Sequence, residues 1–319
     1  AFSAYDYALY NQEWKDSPAF GDAEAYFYEL TAGAESALYP VSAEKENGEG
    51  SGNTEAAVPG EAIRSFCRKQ GVTASSFFMT AFLQVLHRIT REEKLLITTI
   101  SNGRASAAMA DTMGMFVQTL PVVSQAKKQA VGEAVQEMHG QLLATIERDK
   151  YPFTRLAERH GVKPNILFAY QGGVVRESTA ADYTAEELHL QLDTAKTPLI
   201  LQILPEGTGY KLAFEYDRSL YAAQDIVTLS KAVACLTQAL AEPVPQQSGT
   251  ELPLVTEEEE KALRALGQGE SLACDKNETI VDILQRQAAE RPEDAAVVYE
   301  NRSYTYRQID AIATRLAIH

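Results

Sequence analysis

The sequence predicts an α/β (α+β) fold in which a mixed sheet is flanked by helices, with a short αβα segment at the C-terminal end. Three observations carry this. Ala74–Ile89 is apolar nearly all round (Phe77, Phe78, Met79, Phe82, Leu83, Val85, Leu86), the pattern of a helix sunk in a core. Leu95–Ser101 (LLITTIS) and Ile166–Gln171 (ILFAYQ) are short apolar runs that read as buried strands. Leu199–Leu204 and Tyr210–Tyr216 alternate and are joined by Glu206-Gly207-Thr208-Gly209, which reads as a hairpin.

The other elements follow in order. Ala4–Trp14 places three of Tyr5, Tyr7, Tyr10 and Trp14 on one helical face, expected to serve packing. Ala23–Leu30 is a second helical pattern. Ser42–Asn53 is rich in Gly, Ser and Glu and reads as a mobile loop. Thr54–Val58 is a strand candidate. Pro59-Gly60 opens a helix with Ile63, Phe66 and Cys67 on one face, and Gly71 stops it. Thr73 is the expected N-cap of the central helix, and His87 near its end is expected to cap or pack.

Asn102-Gly103-Arg104 ends LLITTIS, and a small-residue loop, Ala105–Ala110, leads into Asp111–Val123 (DTMGMFVQTLPVV). Here apolar residues flank Gln118-Thr119. That suits a strand crossing a core while offering an amide and a hydroxyl to a cleft. It also suits a buried strand interrupted at a bulge, which the residues alone favour. Val131–Asp149 is amphipathic through Val131, Val135, Met138, Leu142 and Ile146. Tyr151-Pro152-Phe153 breaks it, and a short helix runs to His160. Gly172–Ala185 reads as a loop and Leu188–Leu192 as alternating; Ala222–Ala241 is a long helix closing the unit.

The texture then changes. Pro243–Gly249 is rich in Pro, Gln and Ser, Leu252–Val255 is a short apolar foothold, and Glu257–Glu260 favours a helix start rather than a metal site. Gly267–Asn277 is linker-like. Thr279–Glu290 is a helix with a Thr-x-x-Asp start, Ala295–Tyr299 a strand, and Thr305 with Gln308 a capping box for a helix over Tyr306–Ala317. The chain does not open on Met, and its first residues resemble mid-domain sequence, so a fragment is expected.

A net charge of −15 over 319 residues argues against nucleic acid and anionic membrane as partners. Cys67, Cys235 and Cys274 are odd in number and widely spaced, which fits reduced thiols in a cytoplasmic protein. There is no G-x-S-x-G, Walker A, G-x-G-x-x-G or H-E-x-x-H pattern, and His87, His139, His160, His189 and His319 are isolated. The residues by themselves therefore indicate a fold and no chemistry.

The order of short motifs supplies more. Tyr5-Asp6-Tyr7-Ala8-Leu9-Tyr10 is similar to Y-x-D-[FY]-A-V-W, and Gly114-Met115-Phe116-Val117-Gln118-Thr119 to G-x-F-V-N-T. Arg148–Phe153, ending in Pro152-Phe153, stands where H-Q-D-x-P-F-E is usual; Asn165-Ile166-Leu167-Phe168 with Gln171 stands where R-N-P-L-F…Q-N is usual. Leu252–Thr256 followed by Glu257–Glu259 is similar to a known linker, and Tyr304–Ile309 to L-T-Y-x-E-L. In this order the chain resembles the condensation domain of nonribosomal peptide synthetases, the enzymes of peptide antibiotic biosynthesis, followed by the start of an adenylation domain.

The resemblance implies a chloramphenicol-acetyltransferase-like C-terminal lobe over residues 1–243, a linker over 244–274 and an incomplete adenylation start over 275–319. It implies peptide-bond formation between substrates on upstream and downstream peptidyl carrier proteins. Those carriers bear 4'-phosphopantetheine, and no cofactor binds this chain directly. The family's catalytic H-H-x-x-x-D-G is not in the sequence, so no catalytic residue is assigned and the chain is expected to be inactive alone. Gly103-Arg104 matches a Gly-Arg whose arginine pairs with the aspartate of that motif, a charge-assisted bond suited to fixing a loop. Arg104–Gly114 is the implied tunnel floor, and Gly172–Ala185 the segment that latches onto the other lobe. Gln118 stands for an Asn and offers an amide to pantetheine. Other implied partners are the absent N-terminal lobe and the rest of the adenylation domain; the uncovered lobe interface is expected to promote self-association. A non-catalytic scaffold and a heterocyclization-type relative are the alternatives.

Overall fold

The computed structural model describes residues 3–43, 50–104, 109, 112–172, 194–242, 248–269 and 278–318. The chain forms two compact units, Ala1–Glu260 and Lys261–His319.

In the first unit, α1 (Ala4–Lys15) starts at a capping box: the Ser3 hydroxyl accepts the Asp6 N–H, and the Asp6 carboxylate accepts the Ser3 N–H. Then come α2 (Pro18–Thr31), with proline in its first turn, β1 (Glu35–Ser36) and β2 (Ser51–Pro59). α3 (Glu61–Gln70) ends at Gly71, whose φ of 68° suits glycine. The central helix α4 (Ala74–Thr90) is capped by Thr73, which accepts the Ser76 N–H at 3.2 Å. Next are β3 (Lys94–Ser101), β4 (Gln118–Gln125), α5 (Val131–Ile146), α6 (Phe153–His160) and β5 (Ile166–Tyr170). β6 (Leu199–Glu206), β7 (Gly209–Asp217) and α7 (Ala223–Ala241) follow, with a 3-10 turn at Gly249–Glu251; α8 (Glu257–Leu266) begins at the acidic run.

The described strands of this unit form one seven-stranded sheet. β2 and β6 run antiparallel to β7, β5 runs parallel to β6 and β3, and β4 pairs antiparallel along the whole of β3. The sheet is mixed and flanked by helices, as expected. Its two faces follow the two-residue period of a strand: Leu95 and Ile97 join a large core with α3, α4, α5 and α7, while Leu96 joins a smaller one with α2 and α6. Phe82, fully buried on α4, stacks on Phe168 and meets Phe214 edge-on at centroid separations of 6.5 and 6.3 Å, so it binds the helix layer to β5 and β7.

In the second unit, α9 (Ile280–Glu290) starts at a Thr279–Asp282 capping box, and the Thr305–Gln308 pair caps α10 (Tyr306–Ile318). Between them lie β8 (Ala295–Tyr299) and β9 (Arg302–Thr305).

Several expectations change. The C-terminal segment is αββα rather than αβα, because Glu300, at φ 51°, turns the chain back and Arg302 pairs with Tyr299. Ser51–Asn53 is not loop but the start of β2, and Ser51 and Gly52 are buried. The glycine there serves close packing: a Cβ on Gly52 would lie 2.3 Å from the Tyr216 ring. The helix expected over Val131–Asp149 ends at Ile146. DTMGMFVQTLPVV is neither a through-strand nor a bulged one. β4 starts only at Gln118, and its register with β3 is unbroken from Lys94↔Gln125 to Ser101↔Gln118. The aromatic stripe of α1 packs only in part: Tyr7 is half-buried, whereas Tyr5 and Tyr10 are exposed. The expectations for Leu188–Leu192, and for most of Gly172–Ala185, Ala105–Ala110, Pro243–Gly249 and Gly267–Asn277, lie outside the described residues. Among the described residues no helix is long and apolar enough to cross a membrane.

His87 both caps and packs. Its Nδ1 lies 2.8 Å from the Glu92 carbonyl, to which only an N–H can donate, so Nε2, 3.0 Å from Ser124 Oγ, is the acceptor in the neutral ring. Burial pushes its pKa down.

Two outcomes are expected. Phe82→Ala removes a fully buried ring and lowers the unfolding free energy by about 3–5 kcal/mol in urea titration; a loss under about 1 kcal/mol contradicts its central place. Because His87 binds its proton more weakly folded than unfolded, stability is full above about pH 6.5 and falls as acid is added toward the depressed folded value. His87→Gln flattens that fall between pH 7.5 and 5, leaving the contribution of His160, whose pKa burial also lowers. An unchanged pH slope contradicts the assignment.

Candidate functional site

The ends of β3 and β4 face each other at Ser101 and Gln118, and the chain between them bears Gly103, Arg104, Gly114, Phe116 and Val117 of the residues singled out in the sequence. Gly103 is buried with φ 65°, and a Cβ on it would lie 1.8 Å from the Phe116 carbonyl oxygen, so both backbone angle and space require glycine. Its N–H donates to Ser101 Oγ at 3.2 Å, and that hydroxyl donates to Asp149 Oδ2 at 2.7 Å. Both side chains are buried. Asp149 is itself fixed just past α5, where its N–H donates to the Ile146 carbonyl at 3.1 Å.

Arg104 gathers the loop. Its N–H donates to Asn102 Oδ1 at 3.0 Å, closing a local turn. Its guanidinium donates from Nη1 to the Met109 and Thr112 carbonyls, the latter at 2.8 Å, and from Nη2 to the Gly114 carbonyl at 3.4 Å. The same group lies over the Phe116 ring, 4.6 Å from its centroid. Tyr7 meets that ring edge-on at 4.7 Å, which ties α1 to the loop. Phe116 is 2% exposed, while Met113 and Met115 beside it are 89% and 87% exposed. Val117 is exposed and Gly114 faces solvent; Gln118 and Thr119 are half-buried, with Gln118 Nε2 donating to the Phe116 carbonyl at 3.3 Å. The rim thus offers an amide, a hydroxyl and a run of uncovered apolar side chains over a tightly hydrogen-bonded base. Its chemistry is hydrogen bonding and apolar contact.

The remaining sequence-selected residues sit elsewhere. Tyr5 is exposed, and Asp6 is occupied by the α1 cap. Pro152 is the N-cap of α6, and Phe153 packs on the smaller core. Asn165 Nδ2 donates to the Ser36 carbonyl at 3.4 Å, Phe168 is fully buried under α4, and Gln171 Nε2 donates to Gln202 Oε1 at 2.9 Å. The described histidines are engaged away from the loop: His87 at Glu92 and Ser124, His139 at Ser76, His160 at Thr31. Among the described residues no cluster of three metal-ligating side chains occurs. Sequence reasoning named the stretches that hold Ser101 and Asp149 but gave neither residue a role. The one available signal was an acid at the negative end of the amphipathic helix expected over Val131–Asp149, a place that a carboxylate does not favour.

Comparison with known proteins bears on this geometry. The family described as "Condensation domain" matches residues 3–264. Surfactin synthase subunit 2 of Bacillus subtilis (strain 168) is 26% identical over 266 residues, which is 81% of this chain and 7% of that protein. The first condensation domain of the calcium-dependent antibiotic synthetase, solved in complex with a substrate analogue, superposes with a TM-score of 0.65 at 17% identity, over 80% of this chain and 58% of that one. The nonribosomal peptide synthetase FmoA3, solved with alpha-methyl-L-serine-AMP, gives a TM-score of 0.71 at 16% identity, over 97% of this chain and 36% of that one. The structural likenesses are likenesses of fold, and these folds are of the chloramphenicol-acetyltransferase type that the motifs implied. With most of its length matched by the family, the chain belongs to the condensation domain family.

Proposed function

We propose that residues 1–243 are the C-terminal lobe of a peptide-bond-forming condensation domain, 244–274 its linker, and 275–319 the start of an adenylation domain. The lobe supplies a tunnel wall, a floor loop and a latch. Substrates arrive on upstream and downstream carrier proteins through 4'-phosphopantetheine arms. The amine nitrogen of one attacks the thioester carbon of the other, the carbon–sulfur bond breaks, and an amide and a free thiol result.

The observation that carries this reading is the Arg104-centred loop. Gly103 and Arg104 occupy the Gly-Arg position of the family, Gly114–Thr119 its G-x-F-V-N-T position, and the fold brings the two together. Three guanidinium N–H groups of Arg104 serve loop carbonyls among the described residues. A guanidinium has five, so among the described residues two are left over, the number that a bidentate carboxylate takes. That fits the aspartate of an H-H-x-x-x-D-G motif on another lobe. The 319 residues hold no adjacent histidine pair, so on this reading the reacting base lies outside them. That Gln118 and Thr119 are half-buried at the rim supports a role for them in bonding a pantetheine amide. The exposed Met113, Met115 and Val117 suit an apolar partner surface. On the second unit Ile280, Val281, Val298, Tyr299 and Leu316 are exposed, which fits a segment whose covering partner is the rest of an adenylation domain.

In the full-length protein, Arg104→Ala is expected to lower amide formation between two loaded carrier proteins by about 10- to 100-fold, the scale of a misplaced reacting group, with carrier loading unchanged. The 319-residue chain alone is expected to form no amide and to show no amino-acid-dependent pyrophosphate exchange. Full turnover by Arg104→Ala, or by the chain alone, contradicts the reading.

A further inference from the structure

We propose that Asp149, to which the motif resemblance gives no role, is the positioning residue of the Gly103–Gln118 loop and acts through Ser101; its bearing on turnover rests on the reading of that loop as the tunnel floor. The three groups form a directed relay. A carboxylate only accepts, so Asp149 fixes the Ser101 proton toward itself at 2.7 Å. The hydroxyl's lone pairs then face the other way, and one receives the Gly103 N–H at 3.2 Å. Gly103 is thereby held where it touches the Phe116 carbonyl with no room for even a methyl group. Phe116 in turn is gripped between the Arg104 guanidinium and the edge of Tyr7. A displacement at Asp149 is therefore passed through hard contacts to the ring that seats the arginine.

The placement of the acid supports a specific task. Asp149 lies three residues past Ile146, the last residue of α5, on the side where the helix dipole is negative. It is also buried, and a buried carboxylate is retained only where it is hydrogen-bonded. A residue that is locally unfavourable and yet bonded to the turn before Arg104 marks a site where positioning takes precedence over helix stability. An asparagine keeps the shape but changes the direction of the relay. Its amide can donate to Ser101 Oγ, in competition with the Gly103 N–H.

The test is amide hydrogen exchange on the 319-residue chain, followed by kinetics on the full-length protein. Asp149→Asn and Ser101→Ala are each expected to speed exchange over residues 102–104 and 112–118 by tenfold or more, while residues 199–217 of the β6–β7 hairpin stay as protected as before. The double variant is expected to be no faster than Ser101→Ala, since both act through one bond. Ser101→Thr, which keeps the hydroxyl, is expected to restore protection. Unchanged exchange over 102–104 in Asp149→Asn, additive effects in the double variant, or an equal rise throughout the chain overturns the proposal. In the full-length protein Asp149→Asn is expected to lower kcat for amide formation with KM for the carrier proteins within twofold. If exchange rises locally while kcat is unchanged, Asp149 does position the loop, and it is the floor reading that falls.

Discussion

The guanidinium of Arg104 lies against the Phe116 ring and donates to the carbonyls of Met109, Thr112 and Gly114. Carbonyls turned inward need partners, and one planar group with several fixed donors satisfies more of them than any other side chain. The outward consequence is that Met113, Met115 and Val117 point away from the base. A loop whose interior polar groups are satisfied from within can keep apolar side chains uncovered for a partner. The sheet contributes the fixed frame. β3 and β4 are paired to their last residues, so the two stems of the loop cannot drift apart.

Much of the fold was legible because it obeys local periods. The all-round apolar pattern of α4, the buried runs of β3 and β5, and the alternating hairpin β6–β7 each specify an element without reference to the rest. The misreadings arise where tertiary neighbours override composition. Ser51 and Gly52 look like loop, yet they form a strand because Tyr216 needs a neighbour without a side chain. Met115-Phe116-Val117 looks like strand interior, yet only Phe116 is buried, because Arg104 and Tyr7 give it a pocket and nothing covers its neighbours among the described residues. The turn at Glu300 carries no glycine, which hid β9.

The site divides in the same way. Gly103, Arg104 and the Gly114–Thr119 segment could be marked from the order of motifs, and the fold brings them together. Tyr7 also belongs to a motif, but only the fold reveals that its ring completes the Phe116 pocket. Ser101 and Asp149 are 48 positions apart and belong to different elements, so their bond leaves no trace in spacing or pattern. Pro152, Phe153, Asn165 and Phe168 are marked by the same resemblance and yet serve helix capping, packing and strand attachment away from the loop. A motif therefore locates residues that matter without saying whether they bind or only support.

The shape of the arginine fork, rather than its charge, orders the loop. Arg104→Lys separates the two, since lysine keeps the charge but presents it as a compact ammonium that cannot span three carbonyls and lie flat on a ring. The direct measurement is amide exchange over residues 112–118 in Arg104→Lys beside Arg104→Ala. Both variants are expected to lose protection to the same degree. Protection in the lysine variant equal to that of the unmodified chain would contradict the role of shape.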